Sequence, residues 1–197
     1  MLESELFDEI HRTLSTDIIS NEDIARIAEM GIEALPILAD LFDSPFSISE
    51  HENAGLVMVK MGTIAVGPMM SMIRAGQLGC MACLYLEQIQ DPRVIPFLLE
   101  LLQSDDDDAN EWAAFAIGDL HVSEAVPLLI RKLGSENPEV RVNAVRALGK
   151  IGNMRAVGPL KTLLESGRAT SIEVRDLEAI IARLLKPRPG LRNEPKV

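Results

Sequence analysis

"NPEVRVNAVRALGKIGNMRAVGPLKTLLES", residues 137–166, reads as two helices joined by a short break. Within the first, Asn143, Arg146 and Lys150 recur at i, i+3 and i+7, the spacing of one helix face. That face must meet solvent, because Arg and Lys are rarely buried without a partner. Gly149 admits a close helix neighbour, and Gly152 lets the chain turn out of the helix. Pro159 marks the start of the second helix. In the first turn its missing N–H has no intrahelical acceptor to lose.

The same pattern spreads outward. "ALPILADLF", "VGPMMSMIR", "VIPFLLELL", "AVPLLIRKL" and "VGPLKTLLE" each place a proline before helically spaced apolar residues. The prolines are Pro36, Pro68, Pro96, Pro127 and Pro159, separated by 32, 28, 31 and 32 residues. A fixed period of this length is the mark of a repeat architecture. These segments are the A helices. Between and after them lie B helices: "EHENAGLVMVKMG", "GCMACLYLEQI", "NEWAAFAIGDL", "VRVNAVRALGKIG" and "EVRDLEAIIARLL". Gly118 repeats the position of Gly149, and Gly62 that of Gly152; Glu87 stands at the first of these positions in another unit. Residues 1–30 are expected to form N-terminal capping helices on a single domain spanning 1–186. The tail 187–197, rich in Pro and charge, is expected to be disordered.

Three elements of the 137–166 stretch, Pro-x-Val-Arg-x-x-Ala, Ala-Leu-Gly-x-Ile-Gly and Ala-Val-x-Pro-Leu, resemble a HEAT repeat. The kind is the short one found in bacterial HEAT-like proteins, including the phycobilin lyase group. The resemblance extends over roughly residues 21–185 and is weaker toward the N-terminus. It implies an all-α fold, an α-α superhelix: a HEAT-like solenoid of antiparallel helix pairs, with B helices along the concave side. Stacked pairs bury a continuous core between neighbouring units.

Aligned on the first glycine position, Ala54, Ala82, Ala113 and Ala144 fall in register. The polar stripe Asn143, Arg146, Lys150 then corresponds to Trp112, Phe115, Asp119 one unit earlier. Before that come Met81, Leu84, Gln88, and then Asn53, Leu56, Lys60. One stripe is polar in one unit and apolar in others. Leu56, Met81, Leu84, Trp112 and Phe115 are therefore expected as apolar anchors of a binding groove. Glu111 and Asp119 would flank it, and Asn143, Arg146 and Lys150 would extend it to a basic end. Exposed apolar clusters mark binding sites, and Trp is enriched at hot spots. Cover by the tail, or burial by curvature of the repeats, would explain the stripe without a partner.

Residues 1–125 hold 23 acids and 5 bases, net −18, and residues 126–197 hold 7 acids and 14 bases, net +7. Together they give the formal charge of −11. Such polarity orients a partner or favours salt-sensitive self-association between copies. Net acidity argues against nucleic acid. The apolar run 54–76 is broken by Lys60 and Gly67-Pro68, so no membrane span is expected, and the start lacks the features of a signal peptide. A cytoplasmic protein is the expectation. Asp105–Asp108 are expected in the turn before a B helix, with Asp108 or Asn110 as its cap; they lack the spacing and glycine of a calcium loop.

His51-Glu52 resembles one His-Glu pair of the HEAT-like di-iron enzyme deoxyhypusine hydroxylase. The enzyme uses four such pairs, and the matching positions here carry Cys80 and Glu111. His51 is therefore read as a solvated helix start. Cys80 and Cys83 read as packing residues without a zinc or thioredoxin context. No catalytic residue, metal or cofactor is predicted. The expected function is a non-enzymatic scaffold or adaptor that binds a protein or peptide. The alternative is an accessory subunit of a modifying enzyme resembling phycobilin lyases.

Overall fold

The computed structural model describes residues 2–42 and 48–186. The expectation for the tail 187–197 falls outside them. Two N-terminal helices, α1 (Leu2–Leu14) and α2 (Asn21–Glu29), precede the repeats. Ser20 caps α2, its hydroxyl accepting the Asp23 N–H at 3.1 Å. The A helices are α3 (Leu35–Phe42), α5 (Thr63–Arg74), α7 (Val94–Leu101), α9 (Val126–Lys132) and α11 (Val157–Glu165). The B helices are α4 (Ile48–Met61), α6 (Cys83–Ile89), α8 (Asp107–Asp119), α10 (Pro138–Ile151) and α12 (Ser171–Leu185). No strand occurs among the described residues. The fold is all-α and built of repeated helix pairs, as the sequence implies. No helix among the described residues is long and apolar enough to cross a membrane. The run 54–76 divides between α4 and α5, with Gly62 turning at φ +66°.

Four of the five prolines lie within the first three residues of their A helix. Pro68 does not: α5 starts at Thr63, so Pro68 lies inside the helix. There the Ile64 carbonyl loses its i+4 donor. The B helix expected over 79–89 is also altered. Cys80–Ala82 form a 3-10 turn, and only Cys83–Ile89 are α-helical. This unit has the shortest proline spacing, 28 residues, and lacks about one helical turn of chain.

The acidic run is corrected as well. α8 starts at Asp107, inside the run. The cap is Asp106, whose Oδ1 accepts the N–H groups of Asp108 at 2.9 Å and Ala109 at 3.3 Å. Asp107 and Asp108 then sit in the first turn, where the helix dipole favours negative charge. Asn110 is in the helix and buried.

The alanine register holds. Ala54, Ala82, Ala113 and Ala144 are all fully buried. At Gly118 a Cβ would stand 2.8 Å from the Ala147 Cα, and at Gly149 2.7 Å from the Ile180 side chain. Each glycine thus lets the next B helix approach. Eight residues beyond each register alanine, the B helix exits in the left-handed region: Gly62 (φ +66°), Gln90 (+56°), His121 (+52°) and Gly152 (+75°). Two repeats satisfy this with glycine. Two force a side chain into a conformation that costs an L-residue roughly 1–2 kcal/mol.

The chain forms two compact units, Met1–Ala116 and Ile117–Val197, and the division falls inside α8. In the first, α4 packs against α1, α2, α3, α5 and α6. In the second, α10 packs between α9 and α12. The second unit is stapled by a buried ion pair. Arg141 Nε and Nη2 donate to the two oxygens of Glu173 at 2.8 and 3.2 Å, and both side chains are at least 95% buried. Arg141 Nη1 also donates to the Ser135 and Glu136 carbonyls. Glu173 accepts the Thr170 N–H and closes a capping box at α12. Burial pushes the Glu173 carboxyl up, but Arg141 and Thr170 outweigh it and hold the pKa below the ordinary value.

Candidate functional site

In the second unit, the stripe of B-helix positions is tied together by charge. Arg146 Nε donates to Asp176 Oδ2 at 2.8 Å, from α10 to α12. Lys150 pairs with Asp119, from α10 to α8. Arg183 Nη2 donates to the Gly149 carbonyl at 2.6 Å, and His121 Nδ1 meets the Lys150 carbonyl at 2.9 Å. Asn143 is half-buried, and Arg146, Lys150 and Asp119 are exposed. This face answers its own charges.

In the first unit the counterparts of Arg146 (Leu56, Leu84, Phe115) and two counterparts of Asn143 (Met81, Trp112) are apolar, while Lys60 and Gln88 stand where Lys150 does. Leu56 on α4 is 43% exposed. Met81 in the 3-10 turn, Leu84 on α6, and Trp112 and Phe115 on α8 are half-buried, as is Glu111. Asn53 leaves the stripe. It is buried, and its Nδ2 donates to the Leu14 and Thr16 carbonyls at 2.9 Å each. At that point α4 is pinned to the end of α1 rather than turned outward.

Met81 and Trp112 meet at a cleft of about 340 Å³, which Phe42, His51, Cys80 and Asp108 also line. Asp108 Oδ1 accepts the Trp112 indole N–H at 3.0 Å, one helical turn away. The indole polar edge is thereby satisfied on its own helix. His51 stacks on Phe42, ring centroids 3.9 Å apart, with Tyr85 edge-on to Phe42 at 5.5 Å. His51 Nδ1 meets the Phe42 carbonyl at 2.7 Å. His51 is therefore part-buried and engaged, not the solvated helix start read from the sequence. Cys83, by contrast, is buried core, and burial drives its thiol pKa far up.

The sequence pattern held a signal for His51 that motif comparison misses. His51, Asn110 and Arg141 occupy one register position, three residues before the alanine. Each reaches a carbonyl at the end of the preceding A helix: Phe42, Ser104 and Ser135. A polar residue recurring at an otherwise buried position marks a staple. Asn110 makes it incompletely. Its Nδ2 donates to the Ser104 carbonyl at 3.2 Å, but its buried Oδ1 has no hydrogen-bond partner among the described residues.

Chemically, the cleft offers one carboxylate, a thiol, an imidazole with one nitrogen in use, and a wall of Trp, Phe and Met. No cluster of three or more metal-ligating side chains occurs among the described residues. Comparison with known proteins places the repeats. Residues 103–181 match the family model described as HEAT repeats, and residues 80–104 match that described as PBS lyase HEAT-like repeat. No curated protein matches the chain.

Proposed function

Because the chain is a HEAT-repeat protein, with a phycobilin-lyase-type repeat in its middle, we propose that it is a non-enzymatic scaffold. It grips a protein or peptide along the B-helix face of its first unit. The observation that carries this is the change of chemistry at one set of positions. Arg146 and Lys150 are latched to neighbouring helices by ion pairs. Leu56, Leu84 and Phe115 stand at the place of Arg146, and Met81 and Trp112 at that of Asn143, and all five retain accessible apolar surface. Contiguous apolar surface on a soluble protein marks a contact site.

The anchors are Trp112 and Phe115, with Leu56, Met81 and Leu84 extending the surface and Glu111 at its edge. Trp112 suits a hot spot because its N–H is already satisfied by Asp108, so a partner need only cover the ring. Asp119, Asn143, Arg146 and Lys150 belong to the second unit, and this reading assigns them no contact. The test is affinity capture with wild type beside Leu56→Asp and Trp112→Ala, each checked by thermal melting. A partner held by wild type and lost by both folded variants supports the scaffold. Equal capture by all three removes it.

The repeat match at 80–104 favours one second reading, an accessory subunit for a chromophore-modifying enzyme. Addition of a free bilin would then shift the pigment's absorbance spectrum on mixing. An unchanged spectrum leaves the scaffold.

A further inference from the structure

Resting on the scaffold reading, we infer that the cleft between α4, the Cys80–Ala82 turn and α8 takes the arginine side chain of a basic, amphipathic peptide segment. The apolar face of that segment would lie along Leu56, Leu84 and Phe115.

The geometry supplies the two elements that recognise a guanidinium. Trp112 lines the cleft as an aromatic wall, and Asp108 lines it as a carboxylate. The two are fixed to each other by the indole hydrogen bond, so neither must reorganise on binding. That bond uses Asp108 Oδ1 and an aromatic edge. It leaves the ring face for a cation and Oδ2 for an N–H donor. Met81 and Phe42 give the aliphatic stem of the arginine an apolar path. The volume lies at the small end of ligand pockets (~300–1,000 Å³), which suits one long side chain better than a cofactor.

Charge points the same way. Residues 1–116 hold 21 acids and 5 bases, net −16, against 9 acids and 14 bases, net +5, in residues 117–197. Three of the five bases in the first unit are taken by their own acids: Arg26 by Glu9 and Asp23, Arg74 by Glu100, and Arg93 by Asp91. Among the described residues, no Lys or Arg lines the cleft. A helix N-terminus such as that of α8 repels cations, but its dipole amounts to only about half a charge. Asp108 brings a full carboxylate to the cleft, and Asp105 to Asp107 precede it in the chain.

The experiment uses the full chain and two synthetic 12-residue amphipathic peptides. They are identical except that one carries arginine and the other citrulline, its neutral isostere. Trp112, the chain's one tryptophan, reports binding by its own fluorescence. The arginine peptide is expected to bind at least tenfold tighter at low salt. Asp108→Asn keeps an acceptor for the indole N–H and removes the charge, and should cut arginine-peptide affinity about fivefold. Asp40→Asn, the same charge change at an exposed position of α3, should alter it less than twofold. Equal loss in Asp108→Asn and Asp40→Asn would mean a diffuse acidic field and would overturn the inference. So would equal affinity for the two peptides, or no binding of either. If the peptides bind equally and Leu56→Asp abolishes both, the apolar scaffold survives while the arginine pocket falls.

Discussion

Where α10 of the second unit carries Arg146, the first unit carries Leu56, Leu84 and Phe115 in the same register. Around Arg146 the chain supplies Asp176, and around Lys150 it supplies Asp119, so the second unit closes its B-helix face with its own ion pairs. The counterparts of Arg146 in the first unit, Leu56, Leu84 and Phe115, are apolar and cannot form ion pairs. That unit's one exposed anchor, Leu56, and its half-buried ones leave apolar surface in water. A repeat that obeys the pattern stabilises the stack, and one that departs from it at outward positions is the candidate for binding. The stapling position shows the same contrast from inside. Arg141 is fully satisfied, whereas Asn110 leaves an orphaned oxygen.

The largest expected effect lies at the buried Arg141–Glu173 pair. Glu173→Gln leaves the buried Arg141 charge uncompensated and should destabilise by about 3 kcal/mol, within the ~3–5 kcal/mol typical of broken buried pairs. Chemical denaturation of the variant measures it. Replacing Asn110 by Leu in the first unit removes the orphaned oxygen together with one weak bond, and should cost far less. Similar losses at both places would end the distinction between the units.

Close packing of the B helices comes next. Gly118→Ala sets a Cβ 2.8 Å from the Ala147 backbone. It should cost about 1–2 kcal/mol, overpacking outweighing alanine's better helix propensity. Gly149→Ala meets the end of the Ile180 side chain instead and should cost less. Melting temperatures of the two variants rank them.

The fold was legible because proline and alanine repeat at fixed offsets. Each reports a constraint the backbone imposes on every unit. The departures lay where one unit obeys a local rule. Pro68 sits deep inside α5, and α8 begins inside the acidic run because Asp106, not Asp108, reaches the free N–H groups. The apolar stripe could be read from register alone. The cleft could not, because Phe42 and His51 come from one repeat, Cys80 from the next and Trp112 from the one after, and they meet only through packing. Spacing within one helix holds no record of that.

Smaller effects sharpen the comparison. Gln90→Gly relieves a left-handed residue (φ +56°) that other units fill with glycine. It should stabilise by about 0.5 kcal/mol, a rise of about 1–2 °C in melting temperature. Asp91 offers a pH test in the first unit. The side-chain hydrogen bonds from Arg93, helped by its backbone N–H, hold the Asp91 pKa at about 2. A depressed carboxylate stabilises the fold above its unfolded value, near 3.8, and loses that contribution as pH falls toward 2. Arg93→Ala should return the Asp91 pKa toward the ordinary value, as NMR titration would show. Arg146→Leu should change stability least, by under about 1 kcal/mol, because the Asp176 pair lies partly in solvent.

The central claim is that the apolar face of the first unit serves a partner rather than the core. It is tested most directly by Trp112→Ala, with partner affinity and melting temperature measured on the same preparation. Affinity is expected to fall by ~2 kcal/mol, about thirtyfold, while stability falls by less than the ~3–5 kcal/mol of a core aromatic truncation. A full core-sized loss of stability with affinity unchanged would contradict that claim, and Trp112 would then belong to the packing of α8.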